Sequence, residues 1–474
     1  MSTVVAIDLG ATSGRVIAGH IHEGVIRHDV VSRFPNGPVE HADGLHWSVT
    51  ALFESIRHGL RGAFGQHKDV VSIGVDSWAV DYGLLRDKAL LHEPFHYRDD
   101  RTALGVSKVH EHAPFHELFR KNGLQFLPFN TVYQLAAENW EGPAGSAEQL
   151  LLIPDLINFW LTGQSWMEQT NASTTGLIDI STGALSDELV RLTGSPRHLF
   201  APLIEPGQPV GDILSALSFE LGIAGSVVAV GSHDTASAVV AAPLSSGDSA
   251  YISCGTWGLV GLELDSAIVS DAARDANFTN ERGVDGRIRF LHNVMGLWLL
   301  NECVRHWNER GDNRSVEELV TQAEDYDGVL SLFDVDDPVF MPPGNMPQRI
   351  KDWLVKHDQP VPVGEVGMVA SIIESLAKAF AATVASAGAL AGITPRDISL
   401  VGGGSMNHLL CQRLADYAGI SVIAGPVEAT ALGNILVQAR AAAIIDGDLE
   451  SLRSVIAVSS ALRTYTPRPE RGIL

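Results

Sequence analysis

Twice along the chain a short apolar strand runs into a small polar turn built on glycine and out again into a second strand. The first instance spans Ile7–Val16 and the second Ile252–Val260. In the first, Val4-Val5-Ala6-Ile7 shows no polar alternation, the pattern of a strand buried on both faces. Asp8-Leu9-Gly10-Ala11-Thr12-Ser13-Gly14-Arg15 makes the turn, and Val16-Ile17-Ala18-Gly19 resumes the extended chain. In the second, Ala250–Cys254 enters Gly255-Thr256 and Trp257–Gly261 leaves it. One unit opening each half is an internal repeat. It predicts a duplicated α/β fold with two lobes and a ligand clamped between them. At 474 residues the chain is also too long for one ordinary core. The expected division is 1–243 and 244–474, with Leu244-Ser245-Ser246-Gly247-Asp248 as a small polar hinge.

The turns carry chemistry as well as shape. Gly10 and Gly14 let backbone N–H groups converge, and Thr12, Ser13 and Arg15 add donors, an inventory that suits phosphate oxygens. Asp8, ending the buried strand, is placed to hold a magnesium ion through water. The unit is not a P-loop, because GxxxxGK[ST] occurs nowhere in the chain. Nor is Gly10–Gly14 a nucleophile elbow, since its central residue is Thr and no helix follows. A third glycine turn, Gly402-Gly403-Gly404, follows the strand Ile398–Val401 and precedes a helix from His408. It departs from the dinucleotide fingerprint because Asn407 stands where the third glycine belongs. Three glycines still allow backbone close to a flat or charged ligand such as adenosine.

Midway along the chain, Val228-Ala229-Val230-Gly231 runs into Ser232-His233-Asp234-Thr235 ahead of an Ala-rich helix. A carboxylate there sits at a helix mouth, where the dipole favours the anion. Asp234 is a candidate catalytic base; the local alternative is that Ser232 or Asp234 only caps the helix. Ser232-His233-Asp234 is not a hydrolase triad, because adjacent residues cannot form the relay. Asp76-Ser77-Trp78-Ala79-Val80-Asp81, at the end of a second buried strand, offers carboxylates and a ring for a polyol, or else a hairpin with Trp78 in the core.

Bulk properties narrow the class. The formal net charge of −23 argues against nucleic acid and against an acidic membrane surface. Hydrophobic residues at 45% with a mean hydropathy of +0.11 indicate large cores. Cys254, Cys303 and Cys411 are widely spaced, which indicates neither a cysteine zinc site nor a disulfide framework. A strand begins by Val4 and no apolar run is expected to span a bilayer, so a cytoplasmic protein with reduced thiols is expected.

Taken in order, Asp8-Leu9-Gly10-x-x-x-Gly14-Arg15, Gly231-Ser232-His233-Asp234-Thr235, Cys254-Gly255-Thr256-Trp257 and Val401-Gly402-Gly403-Gly404-x-x-Asn407 resemble the FGGY carbohydrate kinases. The match runs through nearly the whole chain. His96-Tyr97-Arg98-Asp99, Phe129-Asn130-Thr131, Asn293-Val294-Met295-Gly296-Leu297-Trp298 and Ile423–Ala429 resemble the branch of that family acting on L-rhamnulose. The resemblance implies a duplicated ribonuclease-H-like, actin/hexokinase-like fold with two lobes around a central cleft. It implies transfer of phosphate from ATP, with magnesium, to the 1-hydroxyl of L-rhamnulose. By position it implies Asp234 as base, and Ala79, His233, Thr235 and Asn293 as sugar contacts. ATP would meet Ala11, Thr12, Ser13, Gly14, Arg15, Thr256, Asn301 and Gly403, with Asp8 at the metal. Two positions depart from the family pattern: Ala79 where Gly is frequent, and Asn301 where Gln is frequent. The open alternatives are a kinase for L-fuculose or D-xylulose, an actin- or chaperone-like ATPase, and a catalytically silent sugar binder.

Overall fold

The computed structural model describes residues 2–468. The chain forms two compact units, and neither is one continuous stretch. The first comprises the chain up to Ala241 together with Leu264–Phe290 and Ala429–Ser459; the second comprises the rest.

In the first unit, strands β1 (Ser2–Leu9), β2 (Ser13–His22) and β3 (Val25–Pro35) form an antiparallel meander. On its other side β1 pairs in parallel with Val70–Ser77, which pairs in parallel with Ser226–Val228; Pro209–Asp212 closes that edge. The continuous apolar run in β1 is explained by burial: Val4 to Ile7 are all fully inaccessible. Helix α1 (Val49–Gln66) buries Leu52, Ile56, Leu60 and Ala63, spaced at a helical period, in the core beneath this sheet. Its free N-terminal N–H groups are met by the Glu93 carboxylate, 2.8 Å from Val49 N.

The second unit repeats the plan. Ala250–Cys254 pairs antiparallel with Trp257–Leu264 and in parallel with Asp397–Val401, which pairs in parallel with Ser421–Ala424. The two hairpins form as the repeat predicted, and the first strand of each is also flanked by a parallel neighbour. The segment expected to act as a hinge is pinned at both ends of its run: Ser245 Oγ donates to Asp397 Oδ2 (2.6 Å), and Asp248 pairs with Arg396 (2.6 Å).

One expectation needs correcting. The helix Gly364–Ala391, 28 residues with a mean hydropathy of 1.5 in its most apolar window, is long and apolar enough to cross a membrane by length and composition. That window is 67% buried in the protein, which accounts for its composition as a core helix. The three thiols are buried and free, as expected.

The helix that starts at Asp234 is held from behind by the helix Ala429–Ala441, and the contact depends on Gly433. A Cβ at Gly433 would lie 1.8 Å from the Ser237 carbonyl oxygen. Gly433→Ala is therefore expected to destabilise the protein by about 1–3 kcal/mol, read as a lower urea midpoint, with turnover falling because the helix carrying Asp234 is displaced.

Candidate active site

The site in the first unit is built by strand register. Asp8 lies directly opposite Asp76 on the parallel strand and opposite Arg15 on the antiparallel one. Residues paired across a sheet share a face, so two carboxyls and a guanidinium converge at the strand ends, where open α/β sheets take their ligands. Arg15 lies 3.6 Å from Asp8. Burial pushes Asp8 up, and Arg15 offsets part of that rise. Burial and then the charge of Asp8 push Asp76 well above the carboxylate range, against the hydrogen bond from Asn434 Nδ2 at 2.6 Å. Asp76, driven toward its neutral form, also offsets part of the rise at Asp8. Asp8 Oδ2 and Asp76 Oδ1 are buried without a hydrogen-bond partner. Two orphaned carboxyl oxygens on neighbouring strands are a donor set that fits a hard divalent cation.

Asp234 opens the helix Asp234–Val240 and is close enough to add to the upward push on both Asp8 and Asp76. Its side chain is 31% exposed, against 4% for Asp8. Thr235 donates to Asp234 Oδ1 through both its backbone N–H and its hydroxyl. Oδ2 is left as the oxygen able to take a proton. The expected cap does not form: Ser232 donates to the buried Glu168 at 2.7 Å, and the helix begins after His233 without a side-chain cap. Ser232 thus anchors the approach to the helix instead of terminating it.

His233 is 6% exposed. Its Nδ1 lies 3.1 Å from Arg289 Nη2 and 3.3 Å from Glu281 Oε2, and its Nε2 lies 3.4 Å from Asp234 Oδ1. Nδ1 therefore faces both a guanidinium donor and a carboxylate acceptor, while Nε2 faces Asp234. Burial pushes the Glu281 carboxyl up, but Arg289 at 3.1 Å and His233 more than reverse this and leave it below its usual range.

The stretch Asp76–Asp81 divides differently from its sequence reading. Asp76 belongs with Asp8. Asp81 is fully buried and accepts from Trp47 Nε1 (2.6 Å), Gln134 Nε2 (2.8 Å) and Trp78 Nε1 (3.0 Å). Burial still lifts it to about 7. Trp78 is 5% exposed and packs on Trp47 with ring centroids 4.1 Å apart, so its ring is core. Between them, Asp81 N bonds back to Ala79 O across Val80, whose φ is +69°. This is a γ-turn with a β-branched residue in its strained position, of order 1–3 kcal/mol. Thr131 Oγ1 holds the Val80 carbonyl at 2.6 Å. The turn leaves Ala79 half-buried at the strand end.

The first turn adds a packing role for its second glycine. Ala11, Thr12 and Ser13 are open to solvent in part or wholly. Gly14 is required by packing: a Cβ there would meet the Phe34 ring at 2.2 Å.

In the second unit, Thr256 lies in the turn between Ala250–Cys254 and Trp257–Leu264, and its carbonyl accepts from Gly296 N (3.2 Å). That places the chain between Asn293 and Asn301 against the turn. Asn293 is half-buried and Asn301 exposed in the first turn of Trp298–Glu309. Glu302, next to Asn301, is buried and pairs with Arg305. Gly403 is exposed, and a Cβ there would meet nothing within 4 Å. Gly404 packs against Cys254, which brings the glycine turn beside the Thr256 turn.

Glu281, Arg289, Glu168 and Asn434 carry the site from behind and were not singled out as site residues. Only the polar pair Asn434 and Gln438, one helical turn apart in an Ala-rich run, left a trace in the sequence.

Comparison with known proteins names the class. The chain matches the N-terminal domain of the FGGY family of carbohydrate kinases over residues 3–241 and the C-terminal domain over 250–442. It belongs to the FGGY family of carbohydrate kinases, and its fold is the actin/hexokinase-like one. It is 40% identical over 478 residues to a protein named rhamnulokinase from Pectobacterium carotovorum, covering 99% of this chain and 94% of that one. A second, from Bacteroides thetaiotaomicron, is 37% identical over 467 residues, covering 98% and 95%. Among solved structures, a ligand-bound xylulose kinase from Lactobacillus acidophilus superposes with a TM-score of 0.78 at 14% identity, covering 99% and 94%.

Glu281 and Arg289 give a test with a sign. A depressed carboxyl stabilises the fold above its unfolded pKa and loses that contribution as pH falls through its folded value. Arg289→Met leaves Glu281 buried and unpaired, at an expected cost of about 3–5 kcal/mol near neutral pH. Burial alone then raises Glu281, so part of the loss is regained on acidification. Urea midpoints between about pH 4 and pH 7 are expected to fall toward acid in the wild type and to fall less or rise in the variant.

Proposed function

We propose that this chain transfers the γ-phosphoryl group of ATP to the 1-hydroxyl of L-rhamnulose, giving L-rhamnulose 1-phosphate and ADP. The observation that carries the reading is the identity of 36–40% to curated proteins named rhamnulokinase across nearly their whole length. The residues quoted for the L-rhamnulose branch in the sequence point the same way.

Asp234 is the base. Its Oδ2 accepts the hydroxyl proton as the new oxygen–phosphorus bond forms and the bond to the ADP oxygen breaks. Thr235 fixes the other oxygen, and His233 Nε2 lies 3.4 Å from it, which aims the carboxylate. His233, Thr235, Ala79 and Asn293 contact the sugar, the Ala79 methyl trimming its pocket. The Ala11–Arg15 turn, Thr256, Asn301 and Gly403 hold ATP, with backbone N–H groups and the Arg15 guanidinium facing phosphate oxygens. Asp8, with Asp76 beside it, holds the magnesium ion; when bound, magnesium neutralises phosphate charge. The base, three of the four sugar contacts and the Ala11–Arg15 turn belong to residues 1–243; Asn293, Thr256, Asn301 and Gly403 belong to 244–474.

Two measurements test this. In a coupled ADP assay, turnover with L-rhamnulose is expected to exceed that with L-fuculose and D-xylulose; preference for either of those would sink the substrate assignment. Asp234→Asn is expected to lower kcat by about 100- to 10,000-fold while ATP and sugar binding persist. A variant retaining most of its turnover would remove Asp234 as the base.

A further inference from the structure

Away from the kinase site, three side chains of the first unit converge from elements distant in sequence: His20 on β2, Asp29 on β3, and His67, which closes the C-terminus of α1. Their donor atoms lie within 4.8 Å of one another. We propose that His20, Asp29 and His67 form a binding site for a divalent transition metal of the zinc class.

The tautomer of His20 is the first argument. Thr3 Oγ1 donates its single proton to Asp69 Oδ1 at 3.0 Å. The contact between Thr3 Oγ1 and His20 Nδ1, also 3.0 Å, must then have the ring N–H as donor. In a neutral ring this leaves Nε2 as a bare lone pair, yet Nε2 faces a carboxylate oxygen, Asp29 Oδ2, at 3.0 Å. Two acceptors at that distance require a cation or an extra proton between them. The Asp69–Thr3–His20 chain is also the arrangement that orients a metal-bound imidazole, its second nitrogen tied to a hydroxyl or carboxylate.

His67 is the second argument. Its ring centroid is 4.5 Å from that of His20, tilted by 53°, and its Nε2 is buried without a hydrogen-bond partner. A buried imidazole nitrogen with nothing to bond is costly, and a metal satisfies it. Donors around a tetrahedral zinc sit about 3.3 Å apart. The 3.0 Å between His20 and Asp29 already meets this, and His67 closes by at most about 1.5 Å from the 4.8 Å limit. Two imidazoles and one carboxylate favour zinc, cobalt or nickel over magnesium, so the site is chemically separate from the carboxyl pair at Asp8.

A second cluster, His41, Asp43 and His46, has its donors equally close. There His46 repeats the His20 contact, with Nδ1 donating to the Glu93 carbonyl at 2.7 Å and Nε2 meeting Asp43 at 3.1 Å, so what sets the first cluster apart is the unpartnered Nε2 of His67, which has no counterpart among the described residues of the second. It serves as the internal control.

The test uses the full-length protein stripped with a chelator, without magnesium or nucleotide, titrated with cobalt(II) chloride and then with zinc chloride. One equivalent of cobalt is expected to bind with the visible absorption of a low-coordinate nitrogen/oxygen site, and zinc is expected to displace it. Asp29→Asn, at a side chain 65% exposed and so harmless to folding, and His67→Ala are each expected to weaken binding at least tenfold. His41→Ala is expected to leave binding unchanged, and all three variants to keep wild-type kinase turnover. Absence of stoichiometric cobalt binding, binding that survives both Asp29→Asn and His67→Ala, or loss of binding in His41→Ala overturns the proposal. In the first case His20 is an imidazolium paired with Asp29.

Discussion

The structure depends on holding like charges out of water at one level of a sheet. Asp8 and Asp76 are adjacent in register and almost wholly buried, with Asp234 near both. Three ionised carboxylates in such a place would repel and be strongly desolvated. The arrangement is tolerated because Asp76 is driven toward its neutral form, Arg15 faces Asp8, and Asn434 occupies one oxygen of Asp76. Asn434 is itself fixed by Gln438, which also bonds the Val5 carbonyl and Ser72. The helix Ala429–Ala441 is thus the wall against which the acidic site is assembled.

A second buried polar group works by the same logic. Arg289 has no exposed surface, and its charge is matched by Glu281, with His233 completing the cluster. The cluster holds the His233 ring with Nε2 3.4 Å from Asp234 Oδ1. The partly exposed carboxylate is thereby positioned by groups that are themselves almost wholly buried.

What could be read from the sequence was local. The two hairpins were legible because unbroken apolar runs and glycine turns are short-range signals, and both appear with their strands paired as the pattern required. The strand-to-helix passage at Gly231–Thr235 was legible for the same reason. Roles decided by distant partners were not. Ser232 has the composition of a cap, but Glu168, 64 positions earlier, takes its hydroxyl. Asp76 and Asp81 look alike in sequence; Asn434, 358 positions away from Asp76, and the two indoles that claim Asp81 make them different. Ala429–Ser459 packs with the N-terminal sheet although it lies near the end of the chain, a return that composition does not signal.

The run Gly402-Gly403-Gly404 is a single motif on paper, yet its members answer to unrelated demands. Gly402 has φ +82°, Gly404 has no room for a Cβ beside Cys254, and Gly403 has open space around it. Substitution over evolutionary time therefore meets three different filters in three consecutive codons. The first admits essentially glycine alone, because φ +82° with ψ −167° lies where a Cβ is not tolerated. The last admits a larger side chain only if position 254 shrinks in step, which ties two sites far apart in the gene. The middle one meets no packing constraint, so it is the position at which a side chain can be gained without disturbing the fold.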